Sequence, residues 1–228
     1  MIRFLLVFCF LNIILNLVAQ TPVQLLNSIS QKFQIVQDYQ ADVFMQFDIP
    51  FIRIEQLKGK VYFKQPDKFQ VKTQGIAFLP KQDPYYALAV LRDTTQYIAV
   101  ESGKQLYGKT LSRIIQVIPH DQTDLVLAKF WIDPENKLIL RSQLTTQSNG
   151  TIQIDYEYGR MKTYCLPDIM LFTVEVAKFK VPKAIAVDLN SKKKDSKLNS
   201  NSKEIGKIKL TFTNYVINQK LPDTIFKK

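Results

Sequence analysis

Apolar and polar side chains alternate with a period of two along Asp38–Phe69, DYQADVFMQFDIPFIRIEQLKGKVYFKQPDKF. One face of the first run is apolar and consists of Tyr39, Ala41, Val43, Met45 and Phe47. The same face continues through Leu57, Gly59, Val61 and Phe63, and after a Gln65-Pro66-Asp67 turn through Phe69, Val71 and Thr73. Because successive side chains of a strand point to opposite faces, the pattern predicts three antiparallel strands with one face toward a hydrophobic interior.

A helix is predicted immediately before these strands. Thr21 is a suitable N-cap and Pro22 a suitable first helical residue. The apolar side chains that follow have the spacing of three and four residues that defines one helix face: Leu26, Ile29, Phe33 and Val36. We therefore expect a helix over about residues 22–37 that lies against the sheet.

Pro80 and Pro84 interrupt the segment Gly75–Arg92 and favour a semi-ordered loop or a short helix over a strand. Such a segment is suited to cover a cavity. Strand-like runs resume after it. The predicted strands are Thr95–Glu101, Ile114–Ile118, Asp124–Ile132, Lys137–Thr145, Thr151–Tyr158, Ile169–Phe179 and Gly206–Val216. Short connections such as Ser102-Gly103 predict hairpins and hence a meander. In the strand Lys137–Thr145, alternation predicts that Ile139 points away from the face that carries Leu138, Leu140 and Leu144. Residues 190–204 are almost free of apolar side chains and are predicted to form a mobile polar loop.

Residues 1–19 have the pattern of a signal peptide. Arg3 precedes an apolar run, and Ala19 is a small residue suited to cleavage before Gln20. A membrane anchor is the alternative, but the run is shorter than the roughly 20 residues of a spanning helix. Cys9 lies within the apolar run, so the sequence does not predict a lipid-modified cysteine at the cleavage site. We predict an exported chain whose residues 20–228 form a single domain.

The exported part is strongly basic, with 30 Lys and Arg against 20 Asp and Glu once Arg3 is removed. The lysines are spread over outward strand positions and the polar loop, and no aromatic–basic motif of nucleic-acid-binding proteins is present. We therefore predict no nucleic-acid partner and favour attraction to an anionic membrane surface or an acidic partner. Cys165 is the single cysteine of this part, so no internal disulfide is expected.

The sequence contains few candidates for catalysis. His120 is the single histidine and lies between Pro119 and Asp121, where a turn is expected. The acidic residues Asp42, Asp48, Asp155 and Glu157 fall at outward strand positions, which is typical of a solvated face. No phosphate-binding glycine loop, nucleophile motif or metal-ligand spacing is found. We predict that the protein is not an enzyme and needs no metal or cofactor.

The antiparallel start, centred on G-K-V-Y-F-K-Q-P-D-K-F at residues 59–69, resembles the LolA/LolB-like family of periplasmic lipoprotein carriers. The resemblance implies a mainly β fold with one helix, in which a strongly curved antiparallel half-barrel packs around the N-terminal helix. It also implies a monomeric periplasmic protein that binds acyl chains of lipoproteins or other lipids and meets inner- or outer-membrane proteins. The ligand-binding residues that it implies are Tyr39, Val43, Met45, Phe47, Val61, Phe63, Phe69, Val71, Phe78 and Leu79.

Two alternatives remain open at the level of sequence. The inward residues could fill an ordinary core instead of lining a cavity. The same half-barrel could also serve as an interaction or sensor module that recognises an envelope protein. In addition, Gln65 stands where carriers of this family have an arginine linked to lid closure and cargo release. A neutral amide cannot make the bidentate contacts of a guanidinium, so Lys64 or Arg53 would have to substitute in part.

Overall fold

The computed structural model describes residues 20–50, 55–73, 90–121, 124–148, 150–175 and 205–227. One helix, α1 (Pro22–Gln34), precedes a ten-stranded antiparallel sheet that does not close into a barrel. The strands are β1 (Asp38–Asp48), β2 (Leu57–Lys64), β3 (Lys68–Thr73), β4 (Tyr97–Tyr107), β5 (Thr110–Pro119), β6 (Leu125–Asp133), β7 (Leu138–Thr146), β8 (Gly150–Glu157), β9 (Ile169–Glu175) and β10 (Ile205–Ile217). The predicted fold class, a mainly β half-barrel with an N-terminal helix, is confirmed.

The order of strands is β3-β2-β1-β10-β9-β8-β7-β6-β5-β4. Two meanders, β1–β3 and β4–β10, are joined where the first and last strands pair, with Met45 opposite Leu210 and Phe47 opposite Ile208. Consequently β3 and β4 are the two edges of the sheet, although they follow each other in the chain.

The helix begins with a capping box. The Thr21 hydroxyl accepts from the Gln24 backbone N–H at 3.2 Å, and the Gln24 side chain accepts from the Thr21 N–H at 2.9 Å. The buried face of α1 consists of Leu25, Leu26, Ile29, Ser30 and Phe33. Its apolar members belong to the same core cluster as the inward side chains of the strands. The helix therefore packs on the inward side of the sheet and contributes to the same core.

Two predictions about the strands were wrong, both because of β-bulges. Ser102 and Gly103 do not form a hairpin turn: a bulge between Glu101 and Gly103 lets β4 continue to Tyr107. The turn follows at Gly108 and Lys109, where Gly108 has a φ of 58° that favours glycine.

The second bulge lies between β6 and β7, where Trp131 faces Arg141 and Ile132 faces Ile139. Leu140 is the extra residue, so the alternation changes face at this point. Ile139 is buried in the core, contrary to the predicted outward orientation, and Leu140 is half-buried.

The chain end returns to the start of the sheet. Buried Asp38 accepts backbone N–H groups from Gln219 at 2.8 Å and Leu221 at 3.3 Å. The Asn218 side chain accepts from the Gln37 N–H at 2.7 Å and donates to the Ile35 carbonyl at 3.1 Å. A 3-10 turn at Asp223–Phe226 then contacts β3. These bonds fix the chain end against the junction between helix and sheet.

Candidate ligand-binding face

Five of the predicted ligand-binding residues lie in the closed part of the core: Tyr39, Val43, Met45, Val61 and Phe63, each at most 3 % exposed. The Tyr39 ring stacks on Phe63 with centroids 5.4 Å apart, and Phe33 of the helix contacts the same Phe63 ring at 5.4 Å. The helix thus covers this part of the inward face. In this structure these side chains serve as core.

Three others, Phe47, Phe69 and Val71, are half-buried and pack against the rim of the core. Phe69 faces Phe63 and Val71 faces Val61 across the ladder between β2 and β3. Leu57, which faces Met45, is also half-buried. We call Phe47, Leu57, Phe69 and Val71 the apolar edge, because they are the half-buried apolar side chains on the inward face of β1, β2 and β3. Phe78 and Leu79 lie outside the described residues, as do the predicted polar loop and signal peptide.

Gly59 allows β3 to approach β2 closely beside the apolar edge. A Cβ at this position would lie 2.6 Å from the Lys72 carbonyl oxygen and 2.7 Å from the Thr73 Cγ2. No side chain other than hydrogen fits without displacing the edge strand. The sequence showed the glycine at an inward position, and the structure supplies the reason for it.

Gln65, which stands where the carriers of the resembled family have an arginine, makes structural hydrogen bonds in this protein. Its side chain donates to the Val36 carbonyl at 3.2 Å, and its backbone N–H donates to Gln37 at 2.8 Å. These bonds attach the turn between β2 and β3 to the end of the helix. Arg92, which precedes β4, donates to the Pro66 carbonyl of the same turn. Arg53 lies outside the described residues.

Lys64 does not substitute for a guanidinium near the ligand face, because it binds the chain end. Its ammonium donates to the Leu221 carbonyl at 2.8 Å and to the Asp223 carboxylate at 2.7 Å. Lys68 contacts the other carboxylate oxygen at 2.9 Å. Hydrogen bonds from both lysines lower the pKa of Asp223 to about 2.

Sequence reasoning missed a cluster on the outward face of the opposite half of the sheet. The Tyr107 hydroxyl donates to Asp155 at 2.7 Å, and Arg141 forms an ion pair with the same carboxylate. The Arg141 guanidinium lies 5.0 Å from the Tyr107 ring centroid, and the Trp131 indole donates to the Gln105 side chain at 2.8 Å. The prediction that Asp155 lies on a solvated face was wrong, because this cluster largely covers it.

The cluster changes the acid–base properties of its tyrosine. Burial, together with the hydrogen bond to Asp155 and the charge of that carboxylate, raises the pKa of Tyr107 to about 12. The cluster residues come from four strands, and only strand register brings them together. The alternation of side chains in the sequence indicated that these residues point outward, but it did not show which of them contact each other.

The described part of the chain also contains Cys165 and His120, whose residue types can take part in catalysis. Burial raises the pKa of the Cys165 thiol to about 11, which opposes formation of a nucleophilic thiolate. His120 follows β5, and its backbone N–H donates to Gln96. Within the described ranges, no three His, Cys, Asp or Glu residues are grouped closely enough to hold a metal ion. No helix among these residues is long and apolar enough to cross a membrane.

Solved structures share this architecture. The protein resembles a Vibrio parahaemolyticus domain assigned to outer membrane lipoprotein sorting, with a TM-score of 0.59 and 8% identity over 90% of this chain and 95% of that chain. The chain has a LolA-like fold. A DUF1329 family protein from Desulfovibrio piger matches with a TM-score of 0.55 and 11% identity over 90% of this chain and 95% of that chain. A LolA superfamily protein from Nitrosomonas europaea matches with a TM-score of 0.52 and 11% identity over 89% of this chain and 97% of that chain.

The likeness lies in structure and not in sequence. No protein-family model matches the sequence, and no curated protein matches it either. At identities of 8% to 11%, the solved structures show a shared LolA-like fold, and function has to be argued from the residues of this chain.

Proposed function

We propose that the protein binds the acyl chains of a lipid or lipoprotein on its inward face at the apolar edge, and carries them through the periplasm without covalent chemistry. The main supporting observation is that the burial of side chains differs between two parts of the inward face of the sheet. Tyr39, Met45 and Phe63 are buried in the core, whereas Phe69 and Val71 are half-buried at the edge of an open sheet.

The apolar edge suits a chain-like ligand because burial of methylene groups is sufficient for binding. Each buried methylene contributes about 0.8 kcal/mol, and an acyl chain has many of them. The assigned role of the Vibrio domain, lipoprotein sorting, belongs to the same class of function.

Export is part of the proposal. A carrier of this kind would lose residues 1–19 and begin near Gln20. The intact mass of the protein recovered from a periplasmic fraction measures this directly. A mass that includes residues 1–19, or an acylated N-terminus, would contradict it.

Uptake of a fluorescent fatty acid tests the binding face. Phe69→Ala removes a large apolar side chain from the apolar edge. We therefore expect the dissociation constant of the probe to increase at least fivefold, which corresponds to a loss of about 1 kcal/mol in binding free energy. Phe44→Ala is the matched control, because Phe44 is also half-buried but lies on the outward face of β1. The control should bind the probe like the parent. Equal loss in both variants, or a parent that takes up no probe, would refute the proposal.

A second candidate function is the binding of a protein partner, which the β4–β5–β6 region favours. Several large aliphatic side chains are exposed there: Ile98, Val100, Leu106, Leu111, Ile118 and Val126. Native purification followed by mass spectrometry separates the two functions. A stoichiometric lipid supports the carrier, whereas a stoichiometric protein without lipid supports the interaction module.

A further inference from the structure

The outward face of β3, β2, β1 and β10 carries five lysines on adjacent strands. They are Lys58 and Lys60 of β2, Lys72 of β3, and Lys207 and Lys209 of β10, which we call the lysine face. Four of them are exposed, and Lys209 is half-buried. Each alternates with inward core or rim residues such as Val61, Val71 and Ile208, so all five point to the convex side.

Strand register places these lysines close together. Lys60 and Lys72 face each other directly across β2 and β3, while Lys207 faces Asp48 and Lys209 faces Gln46 across β10 and β1. With neighbouring strands about 4.8 Å apart and same-face residues about 7 Å apart along a strand, the five groups occupy an area of about 15 by 20 Å.

The negative charges on this side do not balance the lysines. Asp42 and Asp48 are the acidic residues at outward positions of these four strands, and Asp42 lies 3.7 Å from Lys60. Among the described residues, no carboxylate forms an ion pair with Lys58, Lys72 or Lys207. The Lys72 ammonium lies over the Tyr62 ring instead, 5.5 Å from its centroid.

A second lysine pair on the same two strands has its positive charge neutralised by a carboxylate of the chain. Lys64 and Lys68 also face each other, but Asp223 bridges their ammonium groups at 2.7 and 2.9 Å. Like charges directly opposite each other on a sheet destabilise it. Asp223 neutralises the first pair, whereas in the second pair Lys60 has a longer, exposed contact with Asp42 and Lys72 has no ion pair among the described residues. The pair formed by Lys60 and Lys72 is therefore the one available to an external anion.

We propose that the lysine face docks on the surface of an anionic phospholipid membrane. Lysine ammonium groups are compact point charges that suit scattered phosphates, whereas protein interfaces are depleted in lysine and enriched in arginine. Tyr62 lies half-buried at an outward position among these lysines, and the amphipathic ring of tyrosine is typical of membrane interfaces. The inference goes beyond ligand binding, because it concerns where the protein meets a bilayer.

Flotation with lipid vesicles tests this surface. The parent should bind vesicles of phosphatidylcholine with about 30% phosphatidylglycerol and ignore pure phosphatidylcholine, and about 0.5 M NaCl should abolish binding. The face variant combines Lys58→Gln, Lys60→Gln, Lys72→Gln and Lys207→Gln. Since each lysine near such a surface is worth roughly fivefold in affinity, we expect the variant to bind at least tenfold more weakly.

A control variant of identical net charge makes the test specific. It combines Lys104→Gln, Lys109→Gln, Lys137→Gln and Lys162→Gln, all exposed and outside the lysine face. We expect its affinity to stay within about threefold of the parent. Equal loss in both variants would show that only total charge matters, and would overturn the proposal. So would a face variant that binds like the parent, or a parent that ignores anionic vesicles in favour of an acidic protein.

Thermal melts exclude loss of folding as the cause of weaker vesicle binding. Removing like charges should leave the melting temperature of the face variant unchanged or higher. If the fourfold variant does not fold, the Lys60→Gln, Lys72→Gln double variant provides the same comparison with an expected loss of at least fivefold. Normal vesicle binding by a folded double variant would contradict the proposal.

Discussion

The two edges of the sheet differ in where they place apolar surface and in how they are held. At the β3 edge, Phe69 and Val71 are half-buried on the inward face, and the outward face is rich in lysine. At the β4 edge, the inward residue Tyr97 is buried, whereas the outward residues Ile98 and Val100 are about half exposed. The open sheet therefore offers apolar contacts on its concave side at one edge and on its convex side at the other.

The means of attachment differ as well. Exposed ion pairs between Asp223 and two lysines hold the chain end on β3, and the end itself is fixed by buried Asp38. On the other edge, the tip of the β4–β5 hairpin is held by the part-buried cluster of Tyr107, Asp155 and Trp131. Because water screens exposed charges, we expect the β4 edge to be the more rigid of the two. A weakly held β3 edge suits entry of a ligand.

The largest effect should come from truncating the aromatic anchor of the β4 edge. Trp131→Ala removes a buried ring and the hydrogen bond to Gln105, so we expect a loss of about 3–5 kcal/mol in unfolding free energy. Phe69→Ala at the β3 edge should cost about 1–2 kcal/mol, because the Phe69 side chain is only partly buried. Urea unfolding of both variants measures the difference. Similar costs would show that the edges are equally packed.

Removing the buried carboxylate at the β3 side should have the next largest effect. Asp38→Ala leaves the Gln219 and Leu221 N–H groups without their acceptor, so we expect a loss of about 2–3 kcal/mol. Amide hydrogen exchange should also become faster over residues 218–227. If exchange there matches the parent, the chain end is held by other contacts.

A smaller effect is expected from the hydroxyl of the outward cluster. Tyr107→Phe removes one hydrogen bond to Asp155 and should cost about 1 kcal/mol. In the parent, the raised pKa of about 12 means that the stability from this tyrosine is complete below pH 10 and is lost as pH rises through 12. Alkaline titration of tyrosine absorbance should therefore lose part of its highest-pH component in the variant, and the remainder belongs to Tyr97, whose pKa burial also raises to about 12. An unchanged titration curve would assign that component to another tyrosine.

The smallest effect belongs to the exposed ion pairs of the β3 edge. Because the pKa of Asp223 is lowered from 3.8 to about 2, its contribution to stability is complete above pH 4 and is lost as pH falls through 2. Because solvent screens these exposed pairs, the contribution itself is small, and Asp223→Asn should change stability at neutral pH only slightly. Carboxyl NMR titration should give a pKa near 2 in the parent, and Lys64→Met with Lys68→Met should return it toward 3.8. A value near 3.8 in the parent would show that the pairs do not persist in solution.

Sequence by itself determined the elements that depend on local rules. Thr21 and Pro22 specify the helix start through groups within one turn, and period-two alternation specifies which side of β1 and β2 faces the interior. Most of these inward residues, including Tyr39, Met45 and Phe63, proved to be core. The alternation alone could not say whether such a face is closed by a helix or open to a ligand.

Tertiary structure decided everything that depends on pairing between distant strands. The contact of β1 with β10 makes β3 and β4 the edges, and therefore determines that Phe69 and Val71 are half-buried while Tyr39 is not. Bulges at Glu101/Gly103 and Trp131/Ile132 reversed the local alternation, because the sheet absorbed an extra residue where the sequence has no signal for one. Side chains are assigned to a face by local geometry, but their partners are assigned by register, and register is a property of the whole sheet.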